Sequence, residues 1–389
     1  MRKIVIASDS FKGSLSSAEV AACGERAVHR ILPDCEVVQL PVADGGEGTV
    51  ETLTAALGGQ SVATVVHDPL GRLITAQYGW IAHEQTAIIE MAAASGLPLL
   101  QPEERNPWLT STYGTGELIR EALARGCRKC LLAIGGSATN DGGMGLLQAL
   151  GFRFLDAEGE ELPGCGGSLA RIEQIDTSGA LPALTECAFT VACDVTNPFY
   201  GPEGAAYVFA PQKGADAEMV EALDQGLRHF AQWIHTTQGI AIDHLPGAGA
   251  AGGLGGGLVA FLHAHLTPGI EMVLDALQFD TQIAGADLIL TGEGKLDAQT
   301  CMGKTPLGIL RRAQRQGIPV VAIGGAVEAS ELLNQCGFLA VLPILPYPTS
   351  LAKAMDPTFT RQNIERTLTQ VLRLYSHSAS IGNKKSISL

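Results

Sequence analysis

Residues 135–145 read GGSATNDGGMG, set between the apolar runs CLLAI (130–134) and LLQAL (146–150). Five glycines, a Ser, a Thr, an Asn and an Asp stand where a strand hands over to a helix. A Val-, Ile- or Leu-rich run ending in such a turn, with a helical pattern after it, reads as one unit of a parallel α/β sheet covered on both faces. Working outward, the same hand-over recurs. KIVIASDS (3–10) precedes a helix expected from about Ser17, and CEVVQLPVADGG (35–46) one from about Glu47. LILTGEG (288–294) leads to LGILRRAQRQ, VVAIGG (320–325) to ASELLNQ, and LAVLPIL (339–345) comes last.

These runs are unevenly spread. Two lie in the first sixty residues and three after residue 285, while the middle carries turn signals at HDPLGR, DAEGEELPGCGGS and NPFYGPEG. The economical reading is an α/β protein with a discontinuous first domain, residues 1–60 plus 275–389, whose five parallel strands form one sheet. A second α/β domain, 61–274, is inserted, and a cleft between two such domains is a common place for a small-molecule site. The last stretch, SHSASIGNKKSISL (376–389), is polar and without periodicity, and is expected to be mobile.

Composition excludes several classes. An apolar content of 46% with 17% charge fits a packed globular chain rather than a disordered one. A net charge of −14 disfavours nucleic acid and anionic lipid as partners, though a local basic pocket can still take a small anion. The opening MRKIVIASDS is too short in apolar residues for a secretory signal. LPGAGAAGGLGGGLVAFLHAHL (245–266) is too rich in glycine and His for a membrane span. Nine scattered Cys suit free thiols, and Cys127 and Cys130 lack the further ligands of a zinc site. A cytoplasmic protein is expected, with self-association left open.

In open α/β sheets ligands gather at the carboxyl ends of strands, where the polar residues of this chain concentrate. In 135–145, glycines permit close backbone approach, and Gly135, Gly136, Ser137, Thr139, Asn140 and Gly142 can cradle an anion. The competing reading is a glycine turn with Asn140 or Asp141 capping the next helix; Asp141 could also reach a metal. SDSFKGSLSSAE (8–19) offers Asp9, Lys12 and a capping box from Ser16 to Glu19. In ADGGEGT, Asp44 and Glu47 also have capping spacing, with substrate or metal contact the alternative for Asp44. ACDVTNPFYG puts Asp194 between an apolar run and a turn. LILTGEGKLDAQTCMGK gathers Glu293, Lys295, Asp297 and Lys304, and Thr305 before Pro306 reads as a helix cap. The glycines of 246–258 fit either a second anion cradle or a close backbone crossing. The 135–145 stretch contains no GxGxxG, and GKT at 303–305 lacks the first glycine of a P-loop, which would fall at Ala298.

Taken together, DSFKGSLS, PVADGGEGT, EMAAASGL, GTGELI, IGGSATNDGG, ACDVTNP, FAPQKGA, PGAGAAGGLG and TGEGKLDAQT resemble the signature segments of the type I glycerate kinase family, in order, from residue 1 to about 375. The resemblance implies ATP-dependent, Mg2+-requiring phosphorylation of D-glycerate, with 2-phosphoglycerate favoured over the 3-phosphate. It also implies a flavodoxin-like domain split by a second α/β domain. Residue chemistry then suggests the roles. Asp194 is the expected general base, with Asp297 and Asp44 as rivals. Lys12, Lys304 and the amides of 135–143 would contact phosphate or carboxylate, and Glu293 or Asp9 would serve magnesium. A nicotinamide-dependent dehydrogenase and a two-domain anion-binding protein are the competing classes; the first would need its glycine fingerprint at the 135–145 hand-over, which does not carry it, and the second has no need of so many loops mixing Lys, Asp and Gly.

Overall fold

The computed structural model describes residues 1–46 and 48–385. Glu47, paired with Asp44 in the capping spacing above, lies outside the described residues, as does the end of the polar tail from residue 386. The described strands are, in chain order, β1 (Lys3–Ser8), β2 (Glu36–Pro41), β3 (Gln60–His67), β4 (Leu73–Ile81), β5 (Thr86–Glu90), β6 (Lys129–Ala133), β7 (Arg153–Leu155), β8 (Gln174–Asp176), β9 (Ala188–Ala192), β10 (His265–Thr267), β11 (Leu288–Leu296), β12 (Val320–Val327) and β13 (Ala340–Pro343). The chain divides into two compact units, one of residues 1–44 and 273–389, the other of 45–272.

In the first unit the strands run in the order β13-β12-β11-β1-β2, every neighbouring pair parallel. This is the flavodoxin-like order, and its reversal point lies between β1 and β11. Apolar residues at successive positions of β1 are buried on both faces, as a parallel sheet requires. On one face, Ile4 and Ile6 pack with Val20, Cys23 and Ala27 of the helix Ser17–Ile31 and with Ile364, Leu368 and Leu372 of the helix Pro357–Lys385. Each fully buried aliphatic side chain contributes about 1.5–3 kcal/mol. The expected capping box opens the first of these helices: Ser16 Oγ accepts the Glu19 amide, and the Glu19 carboxylate accepts the Ser16 amide.

The last helix corrects one expectation. It continues to Lys385, through much of the segment expected to be mobile. Its packed turns at 364–372 supply the costly nucleus, and each further residue then adds one backbone hydrogen bond with no proline to stop it.

The second unit carries a six-stranded sheet, β10-β9-β6-β5-β4-β3. From β5 to β10 the neighbours are parallel, while β4 runs antiparallel to both β3 and β5. A small antiparallel pair, β7 and β8, lies apart. Residues 45–60, expected with the first sheet, instead belong to this unit. The helix Thr49–Ala56 packs against β3, β4 and β5, buries Leu53, and its Val50 amide donates to Glu90. A sequence pattern could not reveal which sheet receives that helix.

The glycines of 246–258 make a backbone crossing. A Cβ on Gly252 would meet the Thr139 carbonyl at 2.1 Å and Asn140 Cα at 2.5 Å, and one on Gly257 would meet the Gly142 carbonyl at 2.1 Å. Two backbones touch here without intervening side chains, so this stretch supports the 139–143 turn, while its Ala250 and Ala251 line a cavity of 440 Å³.

Candidate functional sites in the two units

In the second unit, β6 ends at Ala133 and the chain enters the glycine-rich turn, which has two halves with different tasks. The later half is scaffold. Asp141 is fully buried and accepts the Thr112 amide and hydroxyl, both at 2.8 Å, and the Gly143 and Gly145 amides at 3.1 and 3.3 Å. Burial raises its pKa despite these four bonds. The Gly142 amide donates to the Gly252 carbonyl, and Thr139 and Asn140 are fully buried. The expected N-cap at Asn140 or Asp141 is corrected: the six-residue helix Met144–Ala149 starts after Gly143 in the left-handed region, φ 85°. Asp141, two residues before that cap, still binds the cap amide of Gly143 and the first-turn amide of Gly145, and those amides are thereby taken from any anion.

The earlier half is different. Gly135, Gly136 and Ser137 line a cavity of 440 Å³ together with Asp194 and Lys213. Such a volume suits a small ligand. A Cβ on Gly135 would meet nothing within 4 Å, so this glycine leaves open space beside the backbone instead of making room for packing. Among the predicted cradle residues, Thr139, Asn140 and Gly142 do not line the cavity. Asp194 follows β9, and its Oδ1 accepts the Gly269 amide at 2.9 Å, at the start of the helix Gly269–Ala276.

Sequence reasoning missed Lys213. It ends the short turn Pro211–Lys213 and is 1% exposed, and its Nζ donates to Ser137 Oγ and the Thr139 carbonyl, both at 2.7 Å. Burial pushes its pKa down to about 7, against a smaller upward pull from Asp141. A signal was present: Lys213 is the one charged residue between Glu203 and Asp216, within a run whose alanines 205, 206 and 210 are buried.

In the first unit, the other predicted residues gather at the carboxyl ends of β1 and β11, beside the reversal point of the sheet. The Asp9 amide donates to the Gly292 carbonyl at 3.0 Å, joining the two strand ends. Asp9 is 8% exposed and accepts the Ser10 amide and the Thr305 hydroxyl. Burial, reinforced by the Asp44 charge, raises its pKa to about 6. Glu293 accepts the Thr300 hydroxyl at 2.7 Å, and burial lifts it to about 7, with Asp9 and Asp297 pushing the same way and Lys304 opposing. Lys12 lies 3.8 Å from Asp44.

Asp297 is heavily committed. It accepts the Gln299 amide and sits 3.7 Å from Lys295 and 3.9 Å from Lys304. That arrangement braces the 293–304 loop. One helix-start reading is also corrected. Thr305 is the first helical residue, not the cap, because its hydroxyl is turned to Asp9; Lys304 occupies the cap position. The capping reading for Asp44 involves Glu47 and so lies outside the described residues; the helix Thr49–Ala56 itself starts after Gly48, φ 86°, without a side-chain cap at that position.

Magnesium needs only one or two protein carboxylates when it also binds substrate phosphates. Among the described residues no group of three His, Cys, Asp or Glu could cage a metal. Asp9 and Glu293 nonetheless fit the lesser requirement: both are held back from ionising by burial, a cost that a bound cation would relieve.

The chain is also similar to known proteins along nearly its whole length. The model of the Glycerate kinase family matches residues 4–376. The chain is 45% identical over 372 residues to the Glycerate 2-kinase of Escherichia coli K12, covering 94% of this chain and 98% of that one. It is 46% identical over 366 residues to the Glycerate kinase of Bacillus subtilis strain 168, covering 94% and 95%. A crystal structure described as glycerate kinase 2 from Salmonella typhimurium LT2 superposes with a TM-score of 0.90 at 44% identity, covering 97% of this chain and 99% of that one.

Proposed function

This chain belongs to the glycerate kinase family, and we propose that it transfers the γ-phosphoryl group of ATP to D-glycerate, giving 2-phospho-D-glycerate and ADP. The observation that carries this reading is 45% identity to a glycerate 2-kinase along nearly the full length of both chains.

Phosphoryl transfer to an alcohol is mainly a matter of position and charge. The acceptor hydroxyl must lose its proton as the new P–O bond forms, and the oxygens of the moving group must be neutralised. Asp194 is the proposed base. It lines the 440 Å³ cavity with the open backbone at Gly135 and Gly136, whereas Asp297 is held by two lysines and Asp44 lies beside Lys12. Lys12 and Lys304 are proposed to meet phosphate or carboxylate oxygens. Asp9 and Glu293 would hold magnesium, which when bound screens the negative charge of the triphosphate. The Asp9 charge reaches Glu293 and helps to raise its pKa, a penalty that a bound cation would relieve.

Among the described residues no helix is long and apolar enough to cross a membrane. The cytoplasm, where ATP is made available, is the proposed compartment, and small molecules rather than nucleic acid are the proposed partners.

The test is ADP release measured with and without D-glycerate, followed by phosphorus NMR of the product. Glycerate-dependent ADP release with the coupling pattern of the 2-phosphate is expected. A nicotinamide absorbance change in place of ADP release would favour a dehydrogenase, and neither signal would favour a binding protein.

A further inference from the structure

Lys213 presents a physical problem that the second unit does not solve by itself. Its ammonium has three N–H donors. Two go to neutral oxygens, the Ser137 hydroxyl and the Thr139 carbonyl. Among the described residues Lys213 forms no ion pair, although it is 1% exposed. Buried ammonium groups without a counter-charge are among the costliest features a fold can keep. If Lys213 served only to tether the turn, an uncharged donor would do so without that cost.

Two further observations show where a counter-charge can enter. Lys213 lines the same cavity as Ser137, and the side of that cavity at Gly135 is open space beside bare backbone. The side chain that orients Ser137 thus also borders a hollow with room for a ligand oxygen.

Resting on the kinase reading above, we propose that Lys213 binds an anionic oxygen of a reactant, a carboxylate oxygen of the acceptor or a phosphoryl oxygen of the donor, at the Gly135–Ser137 turn. The ammonium keeps its bonds to Ser137 and Thr139 and gives its third N–H to the incoming oxygen. The ligand's charge then adds to the weaker pull of Asp141 on the same ammonium. Ser137, its hydroxyl oxygen already occupied as acceptor by Lys213, is left with its O–H to donate to the same ligand.

The test uses the full chain and two titrations by calorimetry, D-glycerate alone and Mg-ATP alone, on the wild type and on Lys213→Met. We expect one of the two affinities to fall at least tenfold and the other to stay within about twofold, in a variant that still shows a cooperative tryptophan-reported unfolding transition. Loss of glycerate binding identifies the carboxylate as the bound group; loss of Mg-ATP binding identifies a phosphoryl oxygen. Both affinities unchanged in the folded variant would overturn the proposal. If Lys213→Met fails to fold, Lys213→Gln keeps a donor for the Thr139 carbonyl without the charge and carries the same two titrations. In steady state, a lost carboxylate contact raises KM for glycerate more than it lowers kcat, which a purely structural role would not do selectively. Failure of the kinase reading is separate: it would appear as a wild type that releases no ADP with D-glycerate.

Discussion

Replacing Lys213 by Met should change how stability depends on pH, and the size of that change follows from burial. The folded pKa of about 7 stands against an ordinary 10.5. That fall, at about 1.4 kcal/mol per pH unit, amounts to about 5 kcal/mol spent on keeping the ammonium charged inside the fold at low pH. Methionine removes this cost but leaves the Thr139 carbonyl and Ser137 hydroxyl without their donor, at about 1–3 kcal/mol each. The net at pH 6 is therefore small, between about −1 and +3 kcal/mol. The pH dependence is sharper. Between the folded and ordinary pKa values the unfolded chain binds more protons than the folded one, so wild-type stability rises with pH above about 7. From pH 6 to pH 9 the wild type should gain about 2–3 kcal/mol relative to the variant. All three tryptophans, Trp80, Trp108 and Trp233, lie in the second unit, so urea unfolding followed by tryptophan fluorescence reads the unit that holds Lys213. A stability difference that stays flat across those three pH units would refute the claim that this lysine is buried as an uncompensated cation.

Three other outcomes are expected. Asp194→Asn should lower kcat by roughly 10²-fold or more with a modest change in KM in the coupled ADP assay, and near-normal kcat would remove Asp194 as the base. Gly252→Ala combines a left-handed φ of 70° with a 2.1 Å clash against the Thr139 carbonyl, and should destabilise the second unit by about 2–4 kcal/mol in the tryptophan-monitored melt. Glu293, raised to about 7, favours folding below its ordinary pKa and loses that contribution as pH rises through 7; Glu293→Gln should flatten the stability profile between about pH 4.5 and 7, removing up to about 3 kcal/mol of slope. Hydrogen exchange of the β11 amides would read this, and an unchanged slope would place Glu293 in water.

Much of the first unit was legible from local pattern. Burial on both faces imposes continuous apolar runs on β1, β11 and β12, and a glycine-marked turn must follow each, so five strands could be read from the sequence and grouped into one sheet. The Ser16–Glu19 capping box is equally local, since both hydrogen bonds fall within one helical turn. The clustering of Asp9 and Glu293 was legible as loop placement, because strand ends of a parallel sheet lie side by side.

What the sequence by itself determined was therefore the class of fold, the strand-end positions of the polar residues and the chemistry those residues can perform. Only the tertiary structure decided which of them share a cavity. It divided one glycine-rich turn into a buried brace around Asp141 and an open edge at Gly135–Ser137, and it brought Lys213, seventy-six residues away in sequence, onto Ser137. It also gave residues 45–60 to the second sheet. The physical reason is common to all three. Glycine, lysine and carboxylate side chains acquire their roles from desolvation and from neighbours distant in sequence, and neither appears in the local periodicity that specifies strands and helices.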